Sequence, residues 1–275
     1  MIKRHTIETG SADLGVADSG GDGPSVLFIH GNSSCKEIFS KQFSEPIAAK
    51  YRFLAVDLPG HGASSRSRGD VRQAYTIPGM AGALIELLKS LGADNSVLIG
   101  WSLGGHIAIE MMACLSRLRG LLLSGTPPVP KTPQALAEAF LPNPAMGLAG
   151  KAEFTEEEAR AYCRGIYGEN VEPFQLDAAR RTDGRAREAI FAGFLSGLGV
   201  DQKATVECLD KPVAIINGRN DPLVNNAFLE KLNYRNLWDQ KTHLLKDGGH
   251  VPFWHTPEEF NFLLARFLAA AHGSN

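Results

Sequence analysis

Short, uninterrupted apolar runs recur along the chain, and each closes on glycine or a polar turn: Ser25–Ile29, Arg52–Asp57, Val97–Ile99, Gly120–Ser124, Pro212–Asn217 and Thr242–Leu245. Runs this short that lack polar alternation predict strands covered on both faces. Between several of them the apolar positions spread to helical spacing. This holds over Met80–Leu91, from Leu103 onward, and over Pro257–Ala271, where Phe260, Leu263, Leu264, Phe267 and Leu268 fall on one face. Ahead of the first run, Thr6–Ser19 alternates through Leu14–Ala17 around a turn at Gly10-Ser11, which predicts an edge hairpin. Strands alternating with helices in this order predict an α/β fold with a mostly parallel, doubly wound sheet.

The pattern changes at Thr126. Pro127, Pro128, Pro130 and Pro133 interrupt it, and short helical segments separated by Pro142, Pro144 and Pro173 continue to about Thr205. That stretch is too long for an ordinary loop. The predicted division is a core made of residues 1–126 and 206–275, with residues 127–205 inserted as a helical cap over the mouth of its site.

Composition narrows the classes of function. A chain of 275 residues with a 44% hydrophobic fraction can bury a substantial core. Its 28 Lys and Arg nearly balance 30 Asp and Glu, giving a net charge of −2 without any long basic run. Neither nucleic acid nor a membrane surface is therefore an expected partner, and no obligate protein partner is inferred. The four cysteines, Cys35, Cys114, Cys163 and Cys208, stand far apart, with no metal-ligand spacing. They read as reduced thiols, so neither a metal nor a disulfide frame is expected. The amino-terminal Met1–Glu8 lacks the apolar stretch of a signal peptide and no later run reaches membrane-spanning length, which predicts a cytoplasmic location.

One stretch carries the chemistry. Val97-Leu98-Ile99 stops at Gly100, turns through Trp101-Ser102-Leu103-Gly104, and resumes as a helix. In that strand-turn-helix setting a G-x-S-x-G match places Ser102 on a sharp turn as the candidate nucleophile. Gly100 and Gly104 are expected where a Cβ would meet the neighbouring backbone. Ser25–Ile29 leads into His30-Gly31-Asn32-Ser33-Ser34. In hydrolases of this plan the loop after that strand supplies one oxyanion donor and the residue after the nucleophile the other, which nominates the N–H groups of Asn32 and Leu103. Each such donor is worth roughly 3 kcal/mol of transition-state stabilisation. Gly31 lets the backbone pass close to the site, and His30 and His61 read as structural.

A serine hydroxyl needs a base, and the base an orienting carboxylate. Asp221 and His250 each follow a late strand, completing the order Ser, Asp, His of the α/β-hydrolase plan. Asp247 and Asp210 are the competing acids. Asp247 is too near His250 in sequence to reach behind its ring, and Asp210 precedes its strand. Of the eight histidines, His250 stands between Gly248-Gly249 and Pro252-Phe253, with His255 the runner-up. A serine, not an aspartate, at the nucleophile position directs the chemistry to acyl transfer, with no cofactor.

Several segments together resemble a known group. They are H-G-N-S-S at His30, G-W-S-L-G-G-H-I at Gly100, G-T-P-P-V at Gly125, R-T-D-G-R-A-R at Arg181, N-G-R-x-x-P at Asn217, N-L-W-x-x-K-T-H at Asn236 and G-H-x-P-F at Gly249. The combination is similar to the α/β-hydrolase type of N-acyl-homoserine lactonase, a metal-independent quorum-quenching enzyme of bacteria. The resemblance implies an α/β-hydrolase fold and catalytic Ser102, Asp221 and His250, with Asp221 where a member of the family has Glu. It implies a lactone contact at Tyr162 and a tie between cap and core through Asp183, Arg185 and Arg187. Gly31, Phe140, Met146, Phe191 and Phe194 complete the expected substrate-binding set, and Leu195 is expected beside them against an acyl chain.

The expected activity is hydrolysis of the lactone ring of N-acyl-homoserine lactones. A carboxylesterase on small linear or aromatic esters, and a small-molecule receptor on a hydrolase fold, are the alternatives. Ring opening leaves the new alcohol tethered, so its return to an acyl-serine competes with water. Either the cap draws the hydroxyl away from His250, or His250 activates water directly.

Overall fold

Three of the apolar runs lie side by side at the centre of the molecule. The computed structural model describes residues 2–44 and 46–273; Met1, Glu45, Ser274 and Asn275, and with them the extreme ends of the expected core segments, lie outside the described residues. The strands are β1 (Lys3–Glu8), β2 (Asp13–Asp18), β3 (Ser25–Ile29), β4 (Arg52–Val56), β5 (Val97–Trp101), β6 (Gly120–Ser124), β7 (Val213–Gly218) and β8 (His243–Leu245). They form one sheet in the order β1-β2-β4-β3-β5-β6-β7-β8. β1 and β2 pair antiparallel as the expected hairpin, β2 pairs antiparallel with β4, and the pairings from β4 to β8 are parallel.

Every residue of β3, β5, β6 and β7 is buried, which is why these segments read as unbroken apolar runs. The Leu103–Cys114 helix buries every residue from Leu103 to Met112. The Pro257–His272 helix turns Phe260, Leu263, Leu264, Phe267 and Leu268 inward as its pattern predicts. The helix expected over Met80–Leu91 begins earlier, spanning Ile77–Ser90. Its start is set by capping, not by periodicity: the Thr76 hydroxyl accepts the Gly79 N–H at 3.1 Å, and Pro78 occupies the first turn, where no donor is needed.

Between β6 and β7 the chain forms helices at Pro133–Ala139, Pro144–Leu148, Glu156–Tyr167, Pro173–Arg181, Gly184–Leu195 and Gln202–Cys208. The last of them runs across residue 205 and meets the Leu103–Cys114 helix through the His106–Gln202 side-chain pair. Asp183 joins these helices to the rest of the chain: its carboxylate accepts from the Tyr75 hydroxyl at 2.9 Å, and its N–H donates to the Gly60 carbonyl at 2.8 Å. Arg185 pairs with Asp183 within its own helix. Arg187 is buried and donates to the carbonyls of Lys151, Ala152 and Ala179 within the same inserted segment, reaching Ser33 at 3.5 Å.

A buried ion pair fixes the loop after β3. The Lys36 ammonium lies 2.7 Å from the Asp57 carboxylate, which also accepts the N–H groups of Lys36 (2.7 Å) and Ala63 (2.8 Å). Asp57 is fully buried and Lys36 is 7% exposed, so the charges have little access to solvent. Lys36→Met strands the Asp57 charge, and the expected loss is about 3 kcal/mol. Thermal unfolding checks this by a fall in Tm of roughly 6–12 °C; an unchanged Tm contradicts it.

Candidate active site

Ser102 sits between β5 and the Leu103–Cys114 helix with φ 53° and ψ −121°, a left-handed conformation that non-glycine residues rarely hold. The turn closes because its flanks are glycine: a Cβ on Gly100 would lie 2.5 Å from the Gly105 Cα, and one on Gly104 would lie 2.0 Å from the Ile29 carbonyl oxygen. Hydrogen bonds hold the serine backbone on both sides. Its N–H donates to the Ser124 carbonyl at 2.9 Å, and its carbonyl accepts from the Thr126 hydroxyl at 2.8 Å.

His250 and Asp221 approach from the loops after β8 and β7. The His250 Nδ1 lies 3.0 Å from each Asp221 carboxylate oxygen, and the two residues are 2% and 4% exposed. An ionised carboxylate only accepts, so this contact puts the imidazole proton on Nδ1 and leaves Nε2 as a base. That Nε2 is buried and has no hydrogen-bond partner among the described residues. The acid is held in turn: Asp221 accepts the N–H groups of Leu223 (2.9 Å) and Val224 (3.1 Å), and the Asn217 amide reaches it at 3.4 Å. The base is held by close packing, since the His250 carbonyl accepts the Trp101 indole N–H at 2.8 Å and a Cβ on Gly125 would lie 2.7 Å from the ring Cε1.

Ser102 and His250 share the wall of a cavity of about 90 Å³. Asn32, Leu103, Tyr162, Phe140, Met146, Phe191 and Phe194 also line it. The backbone N–H groups of Asn32 and Leu103 donate to no other backbone carbonyl among the described residues. The Asn32 side chain donates to the Ala149 carbonyl at 2.9 Å, and its own carbonyl accepts the Tyr162 hydroxyl at 3.1 Å, so Tyr162 also steadies the loop that presents Asn32. Burial pushes the Tyr162 phenol well above its usual range and keeps it a neutral donor.

Two expected substrate contacts fall elsewhere. Gly31 does not line the cavity; a Cβ there would lie 3.1 Å from the Ser102 Cβ and from the Trp101 ring, so its part is to admit the close approach of loop and nucleophile. Leu195 is 58% exposed, because it ends its helix about 100° around from the inward-facing Phe194. It borders a hollow of about 270 Å³ that shares Phe194 with the cavity but contains none of Ser102, Asp221 and His250. Volume alone does not mark the site.

The competing groups are accounted for. Asp247 and Asp210 are exposed, and the His255 Nε2 is engaged with the Tyr167 carbonyl at 3.0 Å. His30 and His61 are buried, and desolvation lowers them to about 4 and about 3, so both are neutral. His30 bridges the Gly31 carbonyl (2.7 Å) and the Leu58 N–H (3.0 Å), a structural duty. Sequence reasoning missed Ile77, His106, Ala145, Ala149, Ile166, Ile190 and Leu223 on the cavity wall. Only His106 carried a signal, standing four residues past Ser102 on the same helix.

A family model described as the alpha/beta hydrolase family matches residues 26–261. The solved structure of N-acyl homoserine lactonase AidH complexed with N-butanoyl homoserine is 41% identical, covering 99% of this chain and 98% of that one, with a TM-score of 0.95. A variant of AidH complexed with N-hexanoyl homoserine lactone superposes with a TM-score of 0.94 at 41% identity, over 98% of each chain. Among curated proteins, the pimeloyl-[acyl-carrier protein] methyl ester esterase of Xanthomonas axonopodis pv. citri (strain 306) is 27% identical over 91% of this chain and 97% of its own length.

Proposed function

The chain belongs to the alpha/beta hydrolase family, and from that premise we propose that this ester or lactone hydrolase opens the lactone ring of N-acyl-homoserine lactones. The reading is carried by full-length likeness to AidH, at 41% identity, in a chain whose Ser102 and free His250 Nε2 face the same apolar cavity.

The Ser102 Oγ attacks the ring carbonyl while the His250 Nε2 takes its proton, and Asp221 steadies the imidazolium through Nδ1–H. The N–H groups of Asn32 and Leu103 receive the negative charge on the carbonyl oxygen. Collapse breaks the bond to the ring oxygen, which recovers the proton from His250. Water then enters on the same base, frees Ser102 and yields the N-acyl-homoserine. The inserted helices act as a cap: Phe140, Met146, Phe191 and Phe194 shelter the acyl chain.

A second reading, hydrolysis of a methyl ester on an acyl chain, is favoured by the likeness to the Xanthomonas esterase. One comparison separates the two. The purified protein is given N-hexanoyl-homoserine lactone, methyl hexanoate and p-nitrophenyl butyrate, and the acid formed is measured by mass spectrometry. A kcat/KM of at least about 10⁴ M⁻¹s⁻¹ on the lactone, tenfold or more above either linear ester, is the expected result. The opposite order establishes the esterase. Turnover below about one per minute on all three points to a receptor.

A further inference from the structure

His106 lies one helical turn beyond Ser102 and is 6% exposed. Its ring lines the catalytic cavity between the aromatic rings of Phe194, at 4.8 Å between centroids, and Phe140, at 6.3 Å. Its Nδ1 is 2.7 Å from the Gln202 side-chain oxygen. Gln202 is itself 5% exposed and opens a helix capped by Asp201, whose carboxylate accepts the Ala204 N–H at 2.9 Å. The amide oxygen can only accept, so the ring proton sits on Nδ1 and Nε2 carries a bare lone pair. Among the described residues no hydrogen bond reaches that lone pair, and it is not one of the fully buried atoms, so it is open to a donor in the cavity that His106 lines. Desolvation lowers the ring to about 4, so the acceptor is uncharged.

We infer that the His106 Nε2 accepts the amide N–H of the substrate, which makes His106 the residue that selects N-acylated lactones over lactones and esters without that group. The inference rests on the lactonase reading above and adds to it the recognition of the amide. The geometry fits. In an N-acyl lactone the nitrogen is two bonds from the carbon that Ser102 attacks, about 2.5 Å away. A hydrogen bond of about 2.9 Å carries it onward to an acceptor. Ser102 and His106 line the same cavity, so one ligand can reach both. The amide N–H is the only donor such a lactone possesses, and a neutral imidazole receives it without the desolvation that a carboxylate in its place would require.

His106→Leu and His106→Gln are compared with the parent on N-hexanoyl-homoserine lactone and on α-heptyl-γ-butyrolactone, which has a chain of similar length but no amide. For the leucine variant the expected result is a fall in kcat/KM of about 30-fold on the amide lactone and less than threefold on the other. The glutamine variant, which can again offer an oxygen, recovers at least a third of the lost activity on a logarithmic scale. An equal fall on both lactones, or none on either, overturns the inference, and thermal melts of both variants identify a fall that comes from unfolding. If the parent opens neither lactone, the lactonase reading fails by itself. His106 is then tested on N-hexanoylglycine methyl ester against an amide-free methyl ester of equal length, where a selective fall supports the amide contact and an equal fall removes it.

Discussion

Ser102→Gly is expected to lose hydrolysis by roughly a million-fold while gaining stability, and Ser102→Ala is expected to lose the same activity without the gain. The loss follows from chemistry: neither replacement has an oxygen for the His250 Nε2 to deprotonate. The gain follows from the backbone. At φ 53° and ψ −121° the serine Cβ is held in a region nearly reserved for glycine, at a strain of about 1–3 kcal/mol. Glycine relieves that strain but loses more conformational freedom on folding, about 0.5–1 kcal/mol. The difference leaves a net stabilisation of about 1 kcal/mol, seen as a rise in Tm of about 2 °C. Alanine keeps the Cβ and the strain, so its Tm stays at the parent value. Paired melting curves and assays of the three proteins check both halves. A Ser102→Ala protein with measurable turnover removes the nucleophile assignment, and a Ser102→Gly protein less stable than Ser102→Ala removes the argument about strain.

That strain was foreshadowed in the sequence by Gly100 and Gly104, because only residues without a Cβ tolerate the contacts at 2.5 and 2.0 Å found there. The strands were legible because β3, β5, β6 and β7 are covered on both faces, so each carries an apolar run without polar alternation. Asp221 and His250 each follow a strand at its carboxyl end, where the sheet brings distant loops together. Asp210 instead precedes its strand, Asp247 stands too near His250 in sequence, and His255 stands just before the final helix. Other features depend on partners remote in sequence. Lys36 finds Asp57 across 21 positions, and His106 finds Gln202 across 96. Neither pair follows any local period. Leu195 misled because it has the right chemistry on the wrong side of a helix end, and the two phenylalanines before it, Phe191 and Phe194, already fill the inward face.

Asp221→Asn tests the acid of the proposed catalytic set, and the expected result is a fall in kcat of about 10⁴-fold with KM changed less than twofold. The asparagine oxygen can still accept from the N–H groups of Leu223 and Val224, which now hold the aspartate at 2.9 and 3.1 Å, so the loop keeps its shape. Its amide nitrogen then faces the His250 Nδ1, and a donor there forces the imidazole proton onto Nε2. With Nε2 protonated, the ring cannot take the Ser102 proton, although every atom remains near its original place. KM is spared because Asp221 does not line the cavity that receives the substrate. Asp221→Glu preserves the charge and tautomer and adds one methylene at a buried position. It is expected to retain far more activity than asparagine, within about 100-fold of the parent, the scale on which a misplacement of about 1 Å acts. Asp247→Asn and Asp210→Asn change exposed groups and leave kcat at the parent value. A large loss in either of these, with Asp221→Asn near full activity, would transfer the role of orienting carboxylate away from Asp221.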